Sequence, residues 1–157
     1  MAFELSVVSN TPMTSVNDLE TVIITFLYQI GYLPKGYDPK TGVENVRQSV
    51  PYRLFTNCFV GRSEKAWSID ELRTVLRTSR PTVYRHLNKL KALGLLEEVP
   101  IMNPSGQQRR GYRIRYGDIS KAWNFTEAHV KVAMENYRKT VDHLQGLIIR
   151  EKEKKRA

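Results

Sequence analysis

Residues 68–94, SIDELRTVLRTSRPTVYRHLNKLKALG, constrain this chain more than any other stretch. Their pattern fits two short helices joined by a tight turn. Ser68 followed by Glu71 has capping-box spacing, in which each side chain satisfies an otherwise orphan backbone N–H. It opens a helix whose apolar positions, Ile69, Leu72, Val75 and Leu76, recur at helical intervals. Ser79 can cap the second helix, and Pro81 falls in its first turn, where a missing N–H costs nothing. That helix gathers Val83, Leu87 and Leu90 on one stripe and stops at Gly94. At about 100° per residue, Pro81, Tyr84, Arg85, Asn88 and Lys89 fall on the opposite side, with Thr82 at the margin. An apolar back with an Arg/Asn/Thr/Tyr front has the chemistry needed to read base edges in a major groove.

The next residues extend the pattern. Leu95 to Val99 begin a strand directly after Gly94, and residues 103–111, NPSGQQRRG, are turn-rich and basic. Tyr112-Arg113-Ile114-Arg115-Tyr116 then alternates apolar and charged, the period of a half-buried strand. A helix-turn-helix followed at once by a hairpin with an arginine tip is a winged helix. The expected fold is therefore mainly α with a small β-hairpin wing, plus an N-terminal helix and a long C-terminal helix.

Through Ser79-Arg80-Pro81-Thr82-Val83-Tyr84-Arg85-His86-Leu87, Leu90 and Leu93-Gly94-Leu95-Leu96, the chain resembles the winged helix-turn-helix regulators of bacteria and archaea, in particular the MarR, GbsR, ArsR and TrmB-like groups. The resemblance covers roughly residues 50–116. It implies a dimeric, sequence-specific transcription regulator that binds double-stranded DNA, with the second helix in the major groove and the wing along the minor groove. An architectural or replication-associated DNA-binding protein with little sequence preference is the alternative.

Charge points the same way. The chain carries a net +9, divided as −1 over residues 1–60, +7 over 61–116 and +3 over 117–157. The excess sits on the segment that the motif nominates, and a polyanion is the natural partner of such a patch. Arg80, Thr82 and Arg85 are the expected base-edge contacts, because residues at the start of a recognition helix enter the groove most deeply. Ser79, Tyr84, Asn88 and Lys89 are expected to hold phosphates and set register. Gln107, Gln108, Arg109 and Arg110 form the expected wing contacts, where narrow A·T-rich segments concentrate negative potential. Arg113 and Arg115 read equally well as DNA contacts or as solvated charges.

Other classes of function find little support. The longest apolar stretch, Val22 to Leu27 with Thr25 inside it, is too short to span a bilayer. Residues 1–17 lack the basic start and apolar run of a secretion signal. Cys58 is the single cysteine, which leaves no internal disulfide or thiolate cluster, and its neighbours Phe55, Phe59 and Val60 suit a buried structural thiol. These features fit a cytoplasmic, nucleoid-associated protein. His86, His129 and His143 stand in no metal-ligand spacing, and no carboxylate pair is placed for acid–base work. Gly31, Gly36 and Gly42 lack the context of a phosphate loop. No catalytic residue, metal or cofactor is expected, and His86 is expected to bond a backbone group or a phosphate.

The chain divides into an N-terminal helix and loop (1–48), the winged unit (49–116) and a tail helix (117–157). Val16, Leu19, Val22, Ile23, Phe26, Leu27 and Ile30 follow helical periodicity up to Gly31. Residues 31–42 hold three glycines and two prolines and read as a loop. A helix follows from Ser49 through Val60, with Leu54, Phe55, Cys58 and Phe59 facing in. Lys65-Ala66-Trp67 is a short strand that would pair with the wing. In the tail, Trp123, Val130, Ala133, Tyr137, Val141, Leu144, Leu147 and Ile148 form a stripe dominated by spacings of three and four. A cap signal from Asn124 to Glu127 allows the helix to restart there, and residues 150–157 are expected to fray. The stripe either folds back on the N-terminal helix or pairs with a second subunit. The resemblance favours pairing, with Val130, Tyr137, Val141, Leu144 and Ile148 as the dimer contacts. The place left for a small-molecule effector is between the N-terminal and tail helices.

Overall fold

The computed structural model describes residues 2–33 and 43–156. Apolar side chains from Ile23 to Ala122 meet in one core, to which every helix and both strands contribute. Helix α1 (Leu19–Gln29) begins at Asp18, whose carboxylate accepts the Thr21 N–H at 3.1 Å, and it buries Ile23, Ile24 and Leu27. Val16 and Leu19 are exposed, because the helix starts only after the Asp18 cap and the apolar face is shorter than its periodicity suggests. Tyr32 and Leu33, at the start of the expected loop, are buried core residues. The rest of that loop, residues 34–42, lies outside the described residues. A short helix α2 (Val43–Gln48) precedes the expected one and contributes Val46 to the core. Helix α3 (Val50–Arg53) has Pro51 in its first turn and runs straight into a π-helical segment, Leu54–Val60. Leu54, Phe55, Cys58 and Phe59 all point inward along it.

Helices α4 (Ile69–Leu76) and α5 (Arg80–Ala92) form the helix-turn-helix. Both halves of the capping box are made: Ser68 Oγ accepts the Glu71 N–H, and Glu71 Oε1 accepts the Ser68 N–H, each at 3.1 Å. Ser79 Oγ accepts the Thr82 N–H at 3.3 Å. Val83, Leu87 and Leu90 are fully buried, whereas Val75, at the edge of the α4 stripe, is exposed. Arg77 closes α4 in the left-handed region at φ 50°, which turns the chain toward α5.

The wing is an antiparallel pair, β1 (Leu96–Met102) and β2 (Gln108–Ile114). Its turn is closed by Asn103, whose Oδ1 accepts from the Gln107 N–H and Ser105 Oγ, both at 2.8 Å. Pairing therefore resumes at Gln108. Arg109 and Arg110 lie within β2 opposite Ile101 and Pro100, not at the tip where the sequence pattern put them. The strand also ends early, at Ile114, and Arg115–Gly117 forms a 3-10 turn with Tyr116 at φ 62°. The expected third strand is reduced to one bridge, in which Trp67 and Tyr112 exchange two 2.8 Å backbone hydrogen bonds.

Helix α6 (Ile119–Arg156) is continuous, with no restart at Asn124, and remains helical through Arg156. Its 38 residues span about 57 Å at 1.5 Å per residue. Only its first turns dock. Gly94, at φ +81°, lies so close to α6 that a Cβ there would sit 3.1 Å from the Phe125 ring. Carbonyls between the end of α5 and the start of β1 find donors around this point. Thr126 Oγ1 donates to Leu93 O at 2.8 Å, and the Arg115 guanidinium donates to Gly94 O and Leu96 O at 3.0 Å each. Leu93 O and Gly94 O follow the last turn of α5, where carbonyls lack helical partners, and Leu96 O opens β1. The Arg115 guanidinium also stacks on Phe125, 3.6 Å from the ring centroid. Phe125 continues a column through His129 to Phe3, so the N-terminal residues join the same junction. Trp123 meets Phe26 of α1 edge-on at 5.6 Å. Beyond Ala133, α6 is exposed on all sides in the single chain.

Candidate nucleic-acid interface

Helix α5 presents its buried stripe inward and Arg85 at the crest of the opposite face, flanked by Pro81, Asn88 and Lys89, all exposed. Arg80, Tyr84 and Lys91 occupy the edge nearest the wing. Together with Met102, Asn103, Arg109 and Arg110 they line a groove of about 1150 Å³, with Tyr112, Ile69 and Lys65 also in its wall. One α5 edge and the wing arginines thus face a common space, while Arg85 and Lys89 look outward beside it.

The carboxylates of this region are all engaged. Asp70 lies 3.3 Å from Arg80 and 3.8 Å from Arg73. Glu71 pairs with Lys65 at 2.6 Å, and Glu97 with Arg113 at 2.7 Å. Glu98 pairs with Lys91 and stands 3.9 Å from Arg110. The Lys91 ammonium beside Glu98 holds that carboxyl below its usual range. Partial burial would raise the Glu71 carboxyl, but its bonds from Lys65 and Ser68 outweigh burial and lower it. By contrast, the side chains of Arg77, Arg85 and Lys89 have no hydrogen bond or ion pair among the described residues. Basic side chains without an ion pair therefore lie on the outer face of α5 and the turn before it, as they also do along the exposed length of α6.

The other sequence-nominated residues differ in how far they are engaged. The Ser79 and Thr82 hydroxyls lie 2.9 Å apart within the cap. Arg80 is half exposed, tethered to Asp70 and set over Tyr84 at 5.9 Å. Gln107 closes the turn, and its Oε1 accepts from Arg109 at 2.7 Å. Gln108 and Arg110 are exposed on β2.

His86 is half-buried, and of its two expected partners the backbone group is missing at Nδ1. Its Nδ1 is buried with no partner, so it bonds neither backbone nor any other protein group through that atom. Burial, reinforced by the positive Arg85 and Lys89, pushes its pKa down to about 4. Arg113 and Arg115 are not simply solvated: one pairs with Glu97, and the other caps carbonyls at the wing root.

Arg77, Lys65, Lys91 and Asp70 were missed by the sequence reading. Arg77 had one signal, a basic residue in the helix-turn-helix turn. The other three are brought to the groove by pairing between distant elements.

Cys58 is fully buried, and desolvation raises its thiol to about 11, as befits a structural cysteine. Among the described residues, no group of three or more His, Cys, Asp or Glu side chains could hold a metal ion, and no helix is long and apolar enough to cross a membrane.

Residues 48–99, from the end of α2 into β1, match the helix-turn-helix domain family. The match falls on the segment that carries the resemblance to winged helix-turn-helix regulators. Among solved structures, a possible transcriptional regulator from Methanosarcina mazei Go1 is similar at 17% identity and a TM-score of 0.41, covering 64% of this chain and 87% of that one. No curated protein matches the chain by sequence.

Proposed function

We propose that this winged helix-turn-helix chain is a sequence-specific transcription regulator that binds double-stranded DNA, with α5 in the major groove and the wing along the adjacent minor groove. The observation that carries the reading is the contrast in charge pairing. Carboxylates around the groove are matched, while the Arg85 and Lys89 side chains on the outer face of α5 have no hydrogen bond or ion pair among the described residues. An unengaged guanidinium fork at the helix crest suits guanine O6 and N7. Arg85 is thus the principal base contact. Thr82 and Arg80 are secondary ones, with Arg80 giving up Asp70 to reach a base. Ser79, Tyr84, Asn88 and Lys89 hold phosphates, and Gln107, Gln108, Arg109 and Arg110 follow the wing side of the duplex. The protein acts as a homodimer through Val130, Tyr137, Val141, Leu144 and Ile148, on half-sites about one DNA turn apart or a multiple of it. Its place of action is the nucleoid.

Titration of variants against a selected site and a scrambled duplex tests the reading. Arg85→Ala should cost about 1–3 kcal/mol on the selected site and relax preference at one base position. Lys89→Ala should weaken both duplexes nearly equally, because a phosphate contact carries no sequence information. Neutralising Arg109 and Arg110 together should flatten the log–log salt dependence by roughly two units, since each phosphate contact releases about 0.9 counterion. Equal loss on both duplexes for Arg85→Ala, with broad coverage in genome-wide mapping, would favour the architectural alternative.

A further inference from the structure

The distal half of α6 carries an apolar seam that this chain leaves in solvent. Tyr137 is 67% exposed, Val141 50% and Leu144 54%, and Met134 and Ile148 extend the line at either end. The steps from Met134 to Ile148 are three, four, three and four residues, the spacing of a two-helix seam. Over those positions the seam contains no charged side chain.

Charge decides how a second copy can cover it. Residues 150–156 hold five basic and two acidic side chains. A parallel, in-register pair would lay two such segments side by side, with like charges facing one another at the end of the seam, which is destabilising. Residues 127–135 hold Glu127 and Glu135 against Lys131 alone. Antiparallel pairing sets the basic end of each helix beside this acidic stretch of the other.

We propose that α6 pairs antiparallel with α6 of a second copy, with Tyr137 opposite Ile148 and Val141 opposite Leu144, so that residues 150–156 of each chain lie along residues 127–135 of its partner. This rests on the homodimer in the function proposed above and adds its orientation. It places the two winged units at opposite ends of the helix pair. In this register the docked roots of the two helices, at Thr126, stand about 50 Å apart along the pair at 1.5 Å per residue.

Lys154→Cys carrying a nitroxide label tests the orientation by pulsed dipolar spectroscopy. Position 154 is exposed, and buried Cys58 stays unlabelled in the folded protein. In the proposed register, residue 154 lies level with residue 131 of the partner. The label-to-label distance should therefore exceed about 30 Å, against less than about 20 Å for a parallel pair. A short distance overturns the proposal, and so does a monomer by sedimentation at labelling concentrations. DNA titration of the same sample separates the two readings. A monomer that still discriminates its site removes the pairing and keeps the DNA reading. A long distance without DNA binding keeps the pairing and removes the DNA reading.

Discussion

Val83, Leu87 and Leu90 on α5 and Tyr137, Val141 and Leu144 on α6 recur at the same spacing of three and four, yet only the first set is buried. Periodicity states which face of a helix is apolar, not what covers it. On α5 the cover comes from α3, α4 and β1, in a core assembled from residues far apart in the chain. On α6 the cover ends after the first turns, where Gly94 admits Phe125 and Thr126 bonds Leu93. One helix thus belongs to two regimes: a docked root within the cooperative fold, and an arm whose apolar face is available to another molecule. Charge differs in a parallel way. Around the groove most ionic groups are matched across elements, while the few pairs on the arm are local, Arg138 with Asp142 and Lys154 with Glu151.

The sharpest way to break this comparison is to remove equal volumes from the two stripes. Leu87→Ala should destabilise folding by about 2–5 kcal/mol through lost burial and the cavity left behind. Leu144→Ala should change the unfolding free energy of the dilute monomer by less than about 0.5 kcal/mol, since it removes no intrachain cover. Denaturant midpoints at low concentration measure both, and a comparable loss at Leu144 would mean that the arm folds onto its own domain.

A smaller effect separates root from arm on α6 itself. Thr126→Val removes the donor to Leu93 O in a fully buried site and should cost about 1–3 kcal/mol. Thr140→Val replaces an exposed hydroxyl bonded only to Asn136 O of its own helix and should stay within about 0.5 kcal/mol. Equal thermal shifts would erase the boundary drawn between the two parts.

A third effect is a pH dependence confined to the docked region. The unfolded chain protonates His86 near 6.5, while the folded chain resists until about 4. Between those values the unfolded state binds more protons, so stability from this group falls as pH drops from 6.5 and is fully lost by about 4. Midpoints measured across that window should decline less in His86→Gln than in the parent. Identical declines would show that the half-buried imidazole is not responsible.

Features written within three or four residues were legible without coordinates. The Ser68–Glu71 box, the Ser79 cap, the α5 stripe, the Gly94 stop and the inward face of Leu54, Phe55, Cys58 and Phe59 all follow from local chemistry. The limits of the wing were less legible. Its register depends on one side chain, Asn103, closing a turn, and the correct closure moved Arg109 and Arg110 from the tip into a strand. In the candidate interface, the sequence identified which side of α5 is polar, but gave no means of ranking Arg80 against Arg85. That distinction comes from Asp70, ten residues away on another helix.

Sequence by itself determined the helix-turn-helix, the hairpin that follows it, the polar face of α5 and the concentration of positive charge over residues 61–116. Each is a short-range pattern or a sum over neighbours, which survives without knowing what packs on what. Tertiary structure alone decided that Arg115 bonds the carbonyls between α5 and β1 and stacks on Phe125, that burial lowers the His86 pKa, and that the Arg85 and Lys89 side chains keep their charges unmatched. It also decided where α6 parts from the core. These outcomes depend on contacts between residues distant in sequence and on the burial those contacts create, and desolvation and ion pairing acquire their magnitude only once the chain has folded.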